Sequence, residues 1–274
     1  MKTKKKINKK KIIGIAAGVV VVLGAAQMVV LGYMGGMGPL KFLKDQRMAK
    51  LPGNAEQYHL ENVQPLAQSP LQGMTICFLG SSVTNGSASL RVSMADYIGK
   101  LDGANIIKEA VNGTTLAGTG GASYSSRLVN NVDADAKIDL LVCQLSTNDA
   151  GQNKPLGEIG GGTDKDSFDR NTVLGGMEYI IAYAKETWGC PVVFYTGTKY
   201  DSDAYQAMVD TLPALQEKWG IGVIDLWNDT EMNTVSAEQR AFYMNDNIHP
   251  TQAGYLEWWV PKMQTYLYDF VARQ

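Results

Sequence analysis

The chain has 274 residues, 45% of them hydrophobic and 19% charged, with a formal net charge of −2. That balance excludes a disordered chain and fits one α/β domain with an extension. Seven lysines fall in the first eleven residues, which leaves 18 basic against 27 acidic side chains, a net −9, over the rest. A body that acidic lacks the basic footprint of a nucleic-acid binder and repels strongly anionic polymers.

Residues 1–11 form a basic tail: Lys2, Lys4, Lys5, Lys6, Lys9, Lys10 and Lys11. Residues 12–31 read IIGIAAGVVVVLGAAQMVVL, with Gln27 the one polar side chain and no charge. A helix of that length spans about 30 Å, the thickness of the hydrocarbon core. The run therefore reads as a transmembrane signal anchor, with the lysines cytoplasmic and the body extracellular. Gly24-Ala25-Ala26 also offers a signal-peptidase site, but the apolar run continues to Leu31, which favours the uncleaved helix. No cysteine follows the run to carry a lipid. Residues 32–72, punctuated by Gly35, Gly36, Gly38, Pro39, Pro52, Gly53, Pro65 and Pro70, read as a stalk. A short helix fits at 40–50, and His59 reads as a solvated surface residue.

From Met74 onward, apolar strand-like runs alternate with helical segments. The strands are MTICFLG (74–80), NIIKEAV (105–111), IDLLVCQL (138–145), PVVFYTG (191–197) and IGVIDLW (221–227). Helices fit at 90–100, 125–133, 167–188, 203–219, 236–244 and 251–271. In the third of these, Val173, Leu174, Met177, Ile180, Ile181 and Ala184 recur at about 3.6 residues. This alternation predicts a parallel sheet covered on both faces, a three-layer α/β/α sandwich, with ligands at the carboxyl ends of the strands. Cys77, Cys143 and Cys190 are an odd set, two of them inside strand-like runs, and read as small buried hydrophobes.

Unusual residues cluster just after the strands. Gly80-Ser81-Ser82-Val83-Thr84-Asn85-Gly86 is a glycine-flanked strand-to-helix turn. It can present a serine hydroxyl beside the free N–H groups of a helix start, although such a turn alone is more often a helix cap. Next comes Asn112-Gly113-Thr114-Thr115, where Gly113 can offer an unobstructed N–H or be an ordinary turn glycine. After the third strand, Asn148 can aim its amide at a developing oxyanion or end the strand in an Asx-turn. Before the last helix comes Asp246-Asn247-Ile248-His249-Pro250. Its carboxylate can accept from imidazole Nδ1 and leave Nε2 free as a base. The only other histidine is His59.

Taken in this order, the four segments resemble the blocks of the SGNH (GDSL-like) hydrolases, from about Met74 to the C-terminus. The most specific part is D-x-x-H-P followed by Thr251-Gln252-Ala253-Gly254-Tyr255. The resemblance implies a flavodoxin-like sandwich with a five-stranded parallel sheet over 73–274. It implies a serine esterase with Ser82 as nucleophile, His249 as base and Asp246 as its partner. The oxyanion hole would be the N–H groups of Ser82 and Gly113 with the Asn148 amide. Two-step acyl transfer by these groups needs no metal or cofactor. Two positions depart from the pattern. Ser81 stands where the family has Asp and is expected to make a structural hydrogen bond to neighbouring backbone. Ser146 stands where it has Gly, which narrows the site. The glycine-rich stretches 118–124 and 151–162 are expected to shape the site. The implied substrate is an acylated small molecule or glycan, with small acyl groups on cell-surface carbohydrate preferred. The alternatives are a lipase- or thioesterase-type acyl hydrolase and a catalytically silent glycan-binding surface protein.

Overall fold

The computed structural model describes residues 24–30, 32–33 and 38–274. The basic tail and most of the apolar run expected to anchor the chain lie outside the described residues. Residues 24–30 are helical, and among the described residues no helix is long and apolar enough to cross a membrane. The chain divides into two compact units, 1–50 and 51–274. The first contains the short helix α1 (Phe42–Met48), inside the 40–50 segment expected to be helical.

In the second unit, five strands pair in parallel in the order β2-β1-β3-β4-β5. They are β1 (Thr75–Gly80), β2 (Asn105–Ala110), β3 (Leu140–Gln144), β4 (Val192–Tyr195) and β5 (Gly222–Ile224). Because successive side chains point to opposite faces, an all-apolar strand feeds two cores. Ile76, Phe78, Leu140, Val142, Val193 and Tyr195 face α3 (Met94–Asp102) and α9 (Val260–Val271). Cys77, Leu79, Leu141, Cys143, Val192 and Phe194 face α4 (Tyr124–Asn131), α6 (Val173–Trp188), α7 (Asp203–Val209) and α8 (Leu212–Trp219). The chain leaves β1 on one side to make β2 and returns on the other to make β3, so the strand order switches there and opens a crevice above the carboxyl ends of β1 and β3.

Several elements differ from the sequence reading. The helix expected at 203–219 is two helices, because Pro213 sits at the start of α8 and its ring cannot continue the turn from Val209. The helix expected at 90–100 starts only at Met94, behind a Ser93–Asp96 capping box, since Leu90 and Arg91 hold left-handed φ values of 58° and 68°. The helix expected from Thr251 opens as a π-turn, Gly254–Trp259. The expected stalk is divided: the domain begins at Leu51, not at residue 73. Residues 52–62 make the 3-10 turns Pro52–Asn54, Glu56–Tyr58 and Leu60–Asn62, the first of them built on Pro52 and Gly53, and Tyr58, Val63 and Leu71 are buried. His59 is half-buried, with Nε2 3.3 Å from the Asn54 carbonyl oxygen.

The three cysteines are free and buried, as their apolar surroundings predicted. Burial pushes the Cys77 thiol up to about 12 and the Cys190 thiol to about 11, and raises Cys143 as well. At the margin of the sheet, β2 carries Lys108 and Glu109 side by side. Lys108 Nζ lies 2.5 Å from Asp96 of α3, while Arg127 of α4 lies 2.6 Å from Glu109.

Candidate active site

The turn after β1 is set by close packing. A Cβ on Gly80 would collide with Thr84 Oγ1 and come within 2.8 Å of Gln144 Oε1, so only glycine fits. The short helix α2 (Ser82–Asn85) follows, capped by Gly86 at φ 77°. Gln144, at the end of β3, accepts three hydrogen bonds on one oxygen: from the Ser81 N–H (2.9 Å), the Thr84 N–H (3.2 Å) and Thr84 Oγ1 (2.8 Å). The Tyr195 hydroxyl lies 2.6 Å behind Thr84 Oγ1. Ser81 thus bonds through its N–H. Its hydroxyl, expected to bond neighbouring backbone, is buried without a hydrogen-bond partner. It lies near the Tyr124 hydroxyl, whose pKa burial drives well up.

This turn brings Ser82 Oγ to 2.8 Å from His249 Nε2. Ser82 is 7% exposed. As the first residue of α2, its N–H has no acceptor within the helix. On the other side of the imidazole, Nδ1 lies 2.9 Å from each carboxylate oxygen of Asp246. The same carboxylate accepts from the N–H groups of Ile248 (2.8 Å) and His249 (2.9 Å) and from Asn245 Nδ2 (2.9 Å). Partial burial alone would raise the Asp246 pKa. The hydrogen bond and charge of His249, with the two backbone N–H groups, outweigh it and hold the carboxyl well below its ordinary range.

The motif around His249 is legible in atomic terms. An antiparallel bridge, Met244 to Pro250, closes the loop that holds the acid and the imidazole. Downstream, the Tyr255 hydroxyl donates to the Val83 carbonyl at 2.6 Å, and Gln252 Nε2 donates to that of Ser89 at 3.3 Å. The Thr-Gln-Ala-Gly-Tyr stretch thus ties the histidine segment to the serine turn.

The third wall of the site is the loop after β2. Gly113 is exposed, has φ 78° and has open space about it. The buried Arg127 side chain holds this loop, donating to the Gly80 carbonyl (2.8 Å) and Thr114 Oγ1 (3.0 Å). The Asp149 carboxylate accepts from the N–H groups of Leu116 and Ala117, both at 2.8 Å. Burial raises the Asp149 pKa, against the lowering effect of Ser146 and these two N–H groups. Asn148, in α5 (Thr147–Gly151), donates from Nδ2 to the Thr114 carbonyl at 2.9 Å, spending one of its two N–H bonds there and leaving the other for a ligand. Ser146 caps α5, its Oγ accepting from the Asp149 N–H at 3.3 Å.

All five residues singled out in the sequence thus belong to one region. Ser82, His249 and Asp246 form a chain of contacts, and Asn148 is tied to the loop that contains Gly113. Gln144, Thr84, Arg127 and Asp149 were not singled out. The one visible signal was a glutamine closing an otherwise apolar strand. Chemically, an imidazole held by a carboxylate at Nδ1 and touching a hydroxyl at Nε2 can take that hydroxyl's proton.

The same fold occurs in a protein from Lactobacillus plantarum, 21% identical over 72% of this chain and 97% of that one, with a TM-score of 0.57. It occurs in a candidate GDSL-like lipase from Bacteroides ovatus, 16% identical over 72% and 98% of the chains, with a TM-score of 0.53. A family two carbohydrate esterase from Clostridium thermocellum, solved with cellohexaose, is 13% identical over 77% and 66% of the chains, with a TM-score of 0.51. At these identities the likeness is one of fold. No curated protein matches the sequence. The family model for GDSL-like lipases and acylhydrolases matches residues 78–256, a span that contains Ser82, Gly113, Asn148, Asp246 and His249. With more than half of its length inside that match, the chain belongs to the GDSL-like lipase/acylhydrolase family.

Proposed function

We propose that this protein is a serine esterase that removes small acyl groups, preferentially from carbohydrate. The observation that carries this reading is the unbroken line from Ser82 Oγ through His249, 2.8 Å away, to Asp246, 2.9 Å beyond. In the proposed reaction His249 takes the proton from Ser82 as Oγ attacks the ester carbonyl. Asp246 holds the imidazole in the tautomer that makes this possible. The N–H groups of Ser82 and Gly113 and the remaining Asn148 N–H hold the tetrahedral oxyanion, each such donor worth about 10²–10³ in rate. The alcohol leaves with the proton from His249, and water repeats the sequence to free the acid.

The preference for a small acyl group rests on the cavity beside the serine turn. Lined by Val83, Leu145, Thr147, Tyr195, Tyr200 and Ile248, among them the chain neighbours of Ser82, Asn148 and His249, it leaves about 10 Å³, room for a single water-sized group. The lysine-rich start and the apolar residues 12–31 support a single-pass anchor with the domain outside the cell, where carbohydrate is the acyl carrier at hand.

A series of p-nitrophenyl esters tests the reading. Acetate should turn over fastest, with kcat/KM falling at least about tenfold by octanoate. A preference for the longer chains would favour the lipase reading. Failure of a fluorophosphonate probe to label the protein would favour the silent binding protein. Protease added outside intact cells should release the domain from the membrane; a soluble mature form beginning near Gln27 would count against the anchor.

A further inference from the structure

Asn54 ends the 3-10 turn Pro52–Asn54, ahead of the family match, and is 2% exposed. Its carboxamide is used at both ends. Nδ2 donates to the Ala88 carbonyl at 2.8 Å, and Oδ1 accepts from the Gln252 N–H at 2.8 Å. Ala88 lies on the turn that leaves Ser82 and α2, and Gln252 lies just beyond His249 and Pro250. One side chain therefore bridges the two segments whose tips make the Ser82–His249 contact. The preceding residue is seated tightly: a Cβ on Gly53 would run into Thr251 and the Phe242 carbonyl. The ring of Tyr58 packs edge-on against Phe242, with centroids 5.9 Å apart.

The serine-side segment needs such a brace. Just after Ala88 and Ser89, Leu90 and Arg91 hold φ values of 58° and 68°. Two successive residues with a Cβ in the left-handed region are costly, and such backbone persists only where its surroundings over-determine it. The surroundings here include Asn54 on the Ala88 carbonyl, Gln252 on that of Ser89, the Arg91 N–H on the Gly86 carbonyl at 2.9 Å, and Lys108 Nζ on the Arg91 carbonyl at 2.9 Å.

We propose that Asn54 is a positioning residue for the esterase reaction and that residues 51–63 are a clasp holding the Ser82 and His249 segments in register. This rests on the serine-esterase reading above. Catalysis then depends on the stretch that connects the domain to the preceding part of the chain, and displacing or cutting that stretch would stop turnover without touching a reacting group.

The test compares the full-length protein with N54A and N54D, and with E56Q, an exposed change on the same segment. Readouts are kcat and KM on p-nitrophenyl acetate, the rate of fluorophosphonate labelling, and amide hydrogen exchange over 86–92, at temperatures where circular dichroism shows each variant folded. N54A is expected to lower kcat and labelling about tenfold with KM within about twofold, and to speed exchange over 86–92. N54D keeps the acceptor for Gln252 but sets a buried carboxylate against the Ala88 carbonyl, so it should lose at least as much as N54A, and exchange over 86–92 in whichever variant folds carries the test. E56Q should match wild type. Wild-type kcat in N54A and N54D, with only a lower melting temperature, would overturn the positioning role. Unchanged exchange over 86–92 would overturn the clasp. A wild-type protein inert to esters and probe would remove the esterase reading and the catalytic part of this proposal together, and the exchange result would still decide whether the clasp exists.

Discussion

Gln144 Oε1 lies 2.8 Å from Thr84 Oγ1, so one carboxamide at the end of β3 sets the turn that follows β1. Two further donors, the N–H groups of Ser81 and Thr84, converge on the same oxygen. Gln144→Met keeps the length but removes the acceptor. Each buried donor left unsatisfied costs about 1–3 kcal/mol, so a lower melting temperature and a drop in kcat of at least about tenfold are expected. Gln144→Glu keeps the oxygen and should retain most activity. Equal activity in Gln144→Met and wild type, measured on p-nitrophenyl acetate, would show that the turn is held by other means.

The two adjacent serines should behave oppositely. Ser82→Ala is expected to abolish ester hydrolysis and probe labelling. Because the buried Ser81 hydroxyl has only the nearby Tyr124 hydroxyl to meet, Ser81→Ala should change stability by no more than about 1 kcal/mol and keep activity. Mass spectrometry of the labelled peptide decides: an adduct on Ser81 would reverse the assignment.

Asp246→Asn should keep the fold and lower kcat sharply, by up to about 10⁴ if the dependence matches the best-studied triads. Its pH signature follows from the lowered folded-state pKa. A depressed carboxyl stabilises the native state above its unfolded pKa of about 4 and loses that contribution as pH falls toward the folded value. Urea midpoints of wild type and Asp246→Asn should therefore differ by a constant amount above about pH 5 and converge below about pH 4. A gap that widens on acidification would contradict the hold of His249 and the backbone N–H groups on the Asp246 carboxylate.

Asp149 titrates in the opposite sense. Burial raises its folded pKa, so the native state holds the proton more tightly and loses stability as pH rises from about 4 through the folded value. Asp149→Asn removes that slope but presents a single acceptor oxygen to the two N–H groups of Leu116 and Ala117. Urea midpoints against pH should show a flatter curve over that window. Activity should fall as the loop containing Gly113 loosens, and an unchanged kcat would mean that the loop needs no such tether.

The parts of the fold that were legible in sequence are those with a local cause. The inner strands β1, β3 and β4 are apolar runs that both cores demand, and α6 announces itself through the spacing of its buried residues. His249 and Asp246 were legible because the acid sits within one turn of the imidazole it serves. Gln144 was not, because its partners are about sixty positions away and only the pairing of β1 with β3 brings them together. Arg127 and Asn54 are invisible for the same reason, the latter meeting Gln252 across a separation of 198 positions. The break between α7 and α8 was written in Pro213 but masked by the helical pattern on either side.

The ion pairs of Lys108 and Glu109 bear on how this protein meets other copies of itself. A strand at the margin of a sheet offers unpaired backbone groups to any passing extended chain. Here that strand carries opposite charges on its two faces, each committed to a helix of its own layer. A strand adding alongside would have to approach past both charges without disturbing either contact. Crowding would then leave these domains separate, and a variant that replaced both residues with valine would be the one to form aggregates.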